Sequence, residues 1–276
     1  MVKCGNWPIG ICSLSLQADI DQLADAMNHL GIQHVHLAVR PALEQDGTKY
    51  LTAIRKHNWF ISGTMIDFPQ EDYSTLESIK ATGGIVPDEC WQENRKLFLE
   101  AAKVTKGLGA RYLSMHAGFI DSSDDKNTEK LRERIKHLAD AAAENQIMLL
   151  METGQETAAG LHEFLEDLNH PAVAVNFDPA NMILYNKGNP VEALKTLQGW
   201  VEHIHIKDAV RAKEPGRWGL EVPWGEGQVG ANDFLRALDE IGFEGVLAIE
   251  REAGDDRFGD IKLAVEKLRN FNVKQK

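Results

Sequence analysis

The stretch Met148-Leu-Leu-Met-Glu152 is a short apolar run that ends in a carboxylate, and three later stretches end in a comparable way. A charged group at the end of a buried run is costly to bury alone, so it either reaches water or binds something positive. Four such ends in chain order are typical of a parallel barrel that gathers side chains at one mouth. The four runs are 148–152 (MLLME), 173–178 (VAVNFD), 201–205 (VEHIH) and 245–250 (GVLAIE).

Around these runs, short apolar segments alternate with longer segments of helical period, which predicts repeated βα units. The units predict an α/β fold, a closed (β/α)8 TIM barrel that forms a single domain over residues 1–276. Strands are predicted at 7–12, 34–39, 59–65, 112–116, 148–152, 173–178, 201–206 and 245–250. Helices are predicted at 20–30, 48–57, 90–108, 128–145, 158–168, 190–197, 233–241 and 260–271.

An open doubly wound sheet is the competing α/β arrangement, and it normally carries a glycine-rich phosphate-binding turn after its first strand. The sequence has no GxGxxG and no P-loop. The barrel is therefore favoured. Two connections are longer than a barrel needs, 66–89 after the third strand and 207–232 after the seventh, and they predict walls or lids of a site. Trp218 and Trp224 in the second connection could stack on a sugar or anchor the loop.

The charge balance opposes several classes of partner. Lys and Arg number 30 against 42 Asp and Glu, a formal net charge of −12, so the surface should repel nucleic acid and anionic membranes. The first residues lack the pattern of a signal peptide, and no run is long enough to span a membrane, so we expect a cytoplasmic protein. Cys4, Cys12 and Cys90 have no CxxC spacing and are expected to be reduced, ordinary thiols.

The residues at the four strand ends predict a metal site. Glu152, Asp178, His205 and Glu250 together offer three carboxylates and one imidazole. This donor set suits one divalent ion, with Mn²⁺ the first choice, Mg²⁺ and Co²⁺ close to it, and Zn²⁺ also compatible. The alternative is that each residue is a polar strand end facing water.

Several segments resemble the xylose-isomerase-like TIM barrel superfamily along nearly the whole chain. That superfamily includes sugar isomerases, ketose 3-epimerases, hydroxypyruvate isomerase, inosose dehydratase and endonuclease IV. The ordered strand-end residues and the His-Ile-Lys-Asp stretch are the most specific parts of the resemblance. The segments are 151–157 (METGQET), 176–181 (NFDPAN), 203–208 (HIHIKD), 223–227 (PWGEG) and 247–251 (LAIER).

The resemblance implies a metal-dependent isomerase or epimerase that acts on a small sugar or sugar derivative through a metal-stabilised enediolate. Glu152, Asp178, His205 and Glu250 would hold the metal, and the two glutamates would also act as catalytic acid and base. The expected partner is a small-molecule substrate, and the chain could assemble as a homo-oligomer. The implied substrate-binding residues are His116, Asn181, Lys207 and Arg211.

Each of these substrate-binding residues has an alternative role. His116 could be a hydrogen-bonded core histidine, Lys207 could pair with a nearby carboxylate, and Arg211 could be a solvated loop residue. Asn181 stands where ketose 3-epimerases usually have a histidine, and its amide binds a hydroxyl but is no acid near neutral pH. The second strand carries His36 where relatives commonly end in an acidic residue. Both departures weaken the transfer of one particular substrate.

Three alternatives to an isomerase or epimerase stay open. An inosose-dehydratase-like lyase would share the first deprotonation and then expel a hydroxyl group. An endonuclease IV-like phosphodiesterase would need a basic DNA-facing surface, which the charge of −12 opposes. A barrel that only binds a sugar or a metal would need no proton-transfer groups.

Overall fold

Eight parallel strands form a closed barrel in the computed structural model, which describes residues 2–121 and 124–271. Each strand pairs with the next one along the chain, and the first also pairs with the last, which closes the barrel. The predicted (β/α)8 barrel is confirmed; its expected bounds of 1–276 include residues 1, 122–123 and 272–276, which lie outside the described residues. The strands are β1 Trp7–Cys12, β2 His34–Ala38, β3 Phe60–Met65, β4 Tyr112–Met115, β5 Met148–Glu152, β6 Val173–Phe177, β7 Val201–Ile206 and β8 Leu247–Ile249.

Helices surround the barrel, and their bounds agree closely with the predicted ones, with two additions. The short helices α3 and α7 were not predicted, because they lie in connections that the sequence pattern assigns to loops. The helices are α1 Ile20–Leu30, α2 Gly47–Arg55, α3 Leu76–Thr82, α4 Trp91–Gly107, α5 Asp125–Glu144, α6 Ala158–Leu168, α7 Pro179–Leu184, α8 Pro190–Leu197, α9 Ala231–Glu240 and α10 Arg257–Asn270. Shorter elements are the 3-10 turns Ser13–Leu16 and Arg40–Leu43, the strand Lys3–Cys4, and a hairpin of Asp208–Val210 with Leu220–Val222.

Helix α1 shows how local sequence sets the element ends. The Asp19 side chain accepts hydrogen bonds from the backbone N–H groups of Asp21 and Gln22, both at 3.0 Å, and so caps the first turn. Gly31 ends the helix at a φ of 69°, in the left-handed region that glycine enters without a Cβ penalty. The chain can therefore turn at once into β2.

The two long connections lie at the carboxyl ends of their strands. The connection after β3 contains α3, and the one after β7 contains the hairpin of Asp208–Val210 and Leu220–Val222. Among the described residues, no helix combines the length and the hydropathy that crossing a bilayer requires.

Candidate active site

The four strand-end residues meet at one mouth of the barrel. Glu152 is the last residue of β5, His205 lies in β7, Glu250 directly follows β8, and Asp178 follows β6 as the N-cap of α7. None is more than 4% exposed. One ligand atom from each lies within 4.8 Å of the others, which is the spacing expected when donors share an ion at about 2.0 to 2.6 Å.

Unpartnered buried atoms show that this cluster fits a cation. Asp178 Oδ1 accepts from the backbone of Ala180 and Asn181, but Asp178 Oδ2 is buried without a hydrogen-bond partner. Glu250 Oε1 is likewise buried without a hydrogen-bond partner, and His205 Nδ1 has no hydrogen bond although it lies 3.2 to 3.7 Å from oxygens of the three carboxylates. Buried polar atoms are rarely left unsatisfied, so converging lone pairs of this kind are what a divalent ion would use.

The pKa shifts in the cluster also indicate a site that favours a cation. Burial alone would lower the pKa of His205, yet the neighbouring carboxylates Glu250 and Glu152 help to raise it well above the usual value. Burial alone would raise the pKa of Glu250, but His205 and Lys207 hold it well below its usual value. The carboxylates thus create a strongly negative field in which positive charge is favoured.

Lys207 is a second cationic group at this mouth. Its ammonium lies 3.0 Å from Glu250 Oε2, 2.6 Å from Glu252 Oε2 and 3.6 Å from Asp178 Oδ2. These carboxylates raise the pKa of Lys207 well above its usual value although burial opposes the charge. The structure therefore pairs Lys207 with carboxylates, and it leaves Asp178 Oδ2 and Glu250 Oε1 without a hydrogen bond, so that both atoms could bind another cation.

Hydrogen bonds on the Nε2 side of the His205 ring, opposite the carboxylates, hold that ring in place. His36 Nδ1 lies 2.9 Å from His205 Nε2, and His36 Nε2 lies 3.1 Å from Ser114 Oγ, which donates to the Thr64 carbonyl. Burial lowers the pKa of His36 to about 4, so its ring is neutral and has one N–H. His205 Nε2 also lies 3.1 Å from the Asn176 amide nitrogen, so both hydrogen-bond neighbours are on the Nε2 side and His205 Nδ1 faces the carboxylates of Glu152 and Glu250.

We expect the substitution His36→Gln to weaken Mn²⁺ binding by about 10- to 100-fold, as loss of a supporting hydrogen bond does at other metal sites. Isothermal titration with Mn²⁺ measures this change. Cys12→Ala is the matched control, because Cys12 Sγ lies 3.7 Å from His36 Nδ1 and forms a second cluster with His36 and His205. Burial raises the pKa of Cys12 to about 12, and a soft thiolate suits Mn²⁺ less well than carboxylate or imidazole does. Equal losses in both variants would contradict the role of His36.

A cavity of about 440 Å³ opens above the cluster, within the range of small-molecule sites. Both long connections contribute to its walls, as their length predicts. Trp218 lines it, whereas Trp224 is buried against Phe234 and anchors its loop. The lining residues are Leu14, Met65, Ile66, Asp67, Glu71, Tyr73, His116, Glu152, Asn181, Leu184, Tyr185, Lys207, Trp218, Glu221, Glu250 and Glu252.

The structure brings three of the four expected substrate-binding residues into this cavity. His116 Nε2 lies 3.7 Å from Glu152 Oε1, and the Asn181 amide donates to the same oxygen at 3.2 Å. Lys207 also lines the cavity. Arg211 does not: the hairpin after β7 carries it outward, and its guanidinium binds Asn186 Oδ1 and the Gly188 carbonyl.

Glu156 is a buried acid just before the start of α6. Thr157 caps α6, and Glu156 beside it is 4% exposed. Its Oε1 accepts a long hydrogen bond of 3.4 Å from the Gly154 N–H. Burial raises the pKa of Glu156 to about 7, from an ordinary value of 4.5. In the folded protein this carboxyl group therefore stays protonated up to about pH 7, whereas in the unfolded chain it loses its proton near pH 4.5.

We expect Glu156→Gln to stabilise the metal-free protein at pH 8 and to have little effect near pH 4.5. Because the folded pKa is raised, the free energy of unfolding contributed by Glu156 falls as pH rises from about 4.5 to about 7. The gain at pH 8 is at most about 3 kcal/mol. Urea unfolding in EDTA at several pH values measures it, with exposed Glu163→Gln as control. A gain that does not change with pH would contradict the buried, protonated state.

The fold and the cluster define a class: an eight-stranded α/β barrel with a Glu/Asp/His/Glu set at the face where such barrels carry their active sites. Residues 39–271 match the protein family described as xylose isomerase-like TIM barrel. The chain belongs to this family, which confirms the resemblance seen in the sequence.

Three named proteins are similar to this chain. A xylose isomerase domain protein from Planctomyces limnophilus is 31% identical, with a TM-score of 0.85 over 95% of both chains. A xylose isomerase-like TIM barrel protein from Mycobacterium smegmatis, solved in complex with magnesium, is 19% identical, with a TM-score of 0.73 over 98% of this chain and 97% of that one. An inosose dehydratase from Clostridium perfringens is 22% identical over 192 residues, 59% of this chain and only 64% of that relative.

Proposed function

We propose that this chain is a divalent-metal-dependent isomerase or epimerase of a small sugar or sugar derivative. The observation that carries the proposal is the placement of Glu152 and Glu250. Both are buried, both line the same cavity, and both lie against His205 Nδ1, at 3.4 and 3.2 Å. Two carboxylates that share one site can remove a proton and return one.

The two glutamates are suited to act as bases near neutral pH. Burial alone would raise the pKa of Glu152, but His205 and His116 lower it below its usual value. One glutamate would take the proton from the carbon beside the substrate's keto group, and the other would return a proton. Return to the opposite face of the same carbon gives an epimer, and return to the neighbouring carbon gives aldose–ketose interconversion. Asn181, which donates to Glu152, fixes the orientation of that carboxylate.

Glu152, Asp178, His205 and Glu250 would hold the metal. When bound, a divalent cation would offset the negative charge that develops on the substrate oxygens. Mn²⁺ is our first choice because the donor set is mostly oxygen with one imidazole, and Mg²⁺, Co²⁺ and Zn²⁺ are the alternatives. A cytoplasmic location and a homo-oligomer stay predictions.

A lyase is the second candidate, and the inosose dehydratase relative from Clostridium perfringens favours it. It would use the same first deprotonation and then expel the hydroxyl group on the next carbon. Incubation with ketoses and inososes in D₂O with Mn²⁺ separates the two candidates. Deuterium at a carbon that keeps its hydroxyl supports an isomerase or epimerase, and loss of water supports a lyase. Neither change across the panel would contradict both and favour a binding barrel.

A further inference from the structure

Four acids line the cavity beyond the four candidate metal ligands, among apolar and aromatic side chains. Asp67 and Glu71 come from the connection after β3, Glu221 comes from the hairpin after β7, and Glu252 follows β8. Among the described residues that line the cavity, Lys207 is the only lysine or arginine. The walls thus add carboxylates to a site that already has three in the metal cluster.

The cations that touch these acids are already paired. Arg40 binds Asp67 Oδ2, and Lys207 binds Glu252 Oε2. Arg251 lies 2.6 Å from Glu221 Oε1 and 2.8 Å from Asp260 Oδ2. A phosphate or carboxylate on a ligand would therefore have to displace an ion pair to gain a positive partner, and it would enter a field of like charge.

A bound divalent cation would not reverse this field. Its two positive charges would be met by the carboxylates of Glu152, Asp178 and Glu250, which carry three negative charges when ionised. Three cations, Arg40, Lys207 and Arg251, pair with three of the four outer acids, so the outer walls would still keep one net negative charge when all four acids are ionised. Electrostatic complementarity of this kind discriminates between ligands more than it adds affinity.

The acids of the cavity walls keep free hydrogen-bond acceptors. Ionised carboxylates only accept hydrogen bonds, and the ion pairs of Asp67, Glu221 and Glu252 use one oxygen of each. The hydroxyl groups of a ligand can therefore donate hydrogen bonds to the carboxylate oxygens that the ion pairs leave free. Trp218 has a buried indole Nε1 without a hydrogen-bond partner, and its ring packs against Tyr185 at 4.8 Å. Aromatic walls beside acceptor groups match the apolar C–H faces and hydroxyl groups of a sugar.

We propose that the substrate is an uncharged, polyhydroxylated keto compound, such as a free ketose or a ketocyclitol, without a phosphate or carboxylate group. This inference rests on the proposed function, because it names the substrate of the same site. Its physical basis is the acceptor-rich, net negative lining, in which hydroxyl groups gain hydrogen bonds and an anionic group meets repulsion.

Matched ligand pairs test the proposal. Mg²⁺-loaded protein is titrated by saturation-transfer NMR with D-fructose and D-fructose 6-phosphate, with D-xylulose and its 5-phosphate, and with 2-keto-myo-inositol. We expect the uncharged member of each ketose pair to bind at least about tenfold more tightly at low ionic strength, with a smaller preference in high salt because salt screens the repulsion. Equal or tighter binding of the phosphate esters, or no binding of any uncharged compound, would overturn the proposal.

A charge reversal in the cavity tests the cause. Asp67→Lys should reduce the preference for the uncharged member at least about fivefold, because it replaces a repelling group by an attracting one. Asp25→Lys makes the same change on the exposed side of α1 and should leave the preference unchanged. Equal effects of the two variants would assign the preference to net charge and overturn the role of the cavity.

The outcomes also separate this inference from the proposed function. Tight binding of uncharged ketoses without exchange or dehydration in D₂O would contradict the proposed function and leave the ligand class standing. Exchange confined to phosphate esters would support the function and overturn the ligand class. Binding is therefore measured alongside turnover in every pair.

Discussion

Replacing Glu250 by glutamine is expected to lower turnover about a thousandfold, within the range of about 10² to 10⁴ that general acid–base groups contribute. Glutamine keeps the size of the side chain and can still contact Lys207, which lies 3.0 Å from Glu250 Oε2. It cannot accept a proton from carbon near neutral pH. The measurement is kcat for the ketose that the D₂O experiment identifies, at saturating Mn²⁺ so that weaker metal binding does not mask the chemical effect.

Two comparisons make this experiment decisive. Glu266→Gln changes the same functional group on the exposed side of α10 and should leave kcat unchanged. Residual activity of Glu250→Gln within tenfold of the parent would contradict a proton-transfer role. A barrel that only binds its ligand would show no turnover in the parent and nearly unchanged ligand affinity in the variant.

Replacing Asp178 by asparagine is expected to weaken Mn²⁺ binding at least about a hundredfold, because a proposed anionic ligand becomes a neutral amide. Asparagine can keep the helix cap that Asp178 Oδ1 makes with the backbone of Ala180 and Asn181, since Asn and Asp are comparable N-caps. The metal-free variant should therefore keep the unfolding temperature of the parent. The large stabilisation that Mn²⁺ gives the parent should be lost.

Thermal unfolding with and without Mn²⁺ measures both effects, because an ion that binds only the folded state raises its stability by mass action. Asp208→Asn is an informative comparison. Asp208 is also a buried acid, but its oxygens accept backbone hydrogen bonds from Gly225, Gly227 and Val229. We expect that variant to lose stability without metal and to keep its Mn²⁺ response. An unchanged Mn²⁺ response in Asp178→Asn would contradict the proposed metal site.

The fold could be predicted because each barrel strand is a short apolar run between amphipathic helices. Strands β5 and β7 begin and end at the predicted residues. Side chains along a strand point alternately inward and outward, and this two-residue period is visible in the amino-acid sequence. Helices α3 and α7 were missed because they have only 7 and 6 residues. Segments so short do not complete enough turns for a helical period to be recognised.

The candidate site could be predicted only in part. Its four proposed metal ligands follow from chain order, because consecutive strands are neighbours in a parallel barrel and their ends share one face. The family resemblance implies a substrate-binding role for Arg211, and the structure turns its guanidinium toward Asn186 and Gly188. Loop direction is set by tertiary packing, so spacing along the chain did not determine it.

The sequence by itself determined the barrel, the order of its strands and the side chains at their ends, because periodicity and strand order are local or sequential properties. Only the tertiary structure decided that His36 supports His205 across 169 residues of sequence separation, that Lys207 joins Glu250 to Glu252, and that four further acids line the cavity. These contacts join strands and loops remote in sequence. They form only when the barrel closes and the long connections fold over its mouth, and no local pattern encodes that geometry.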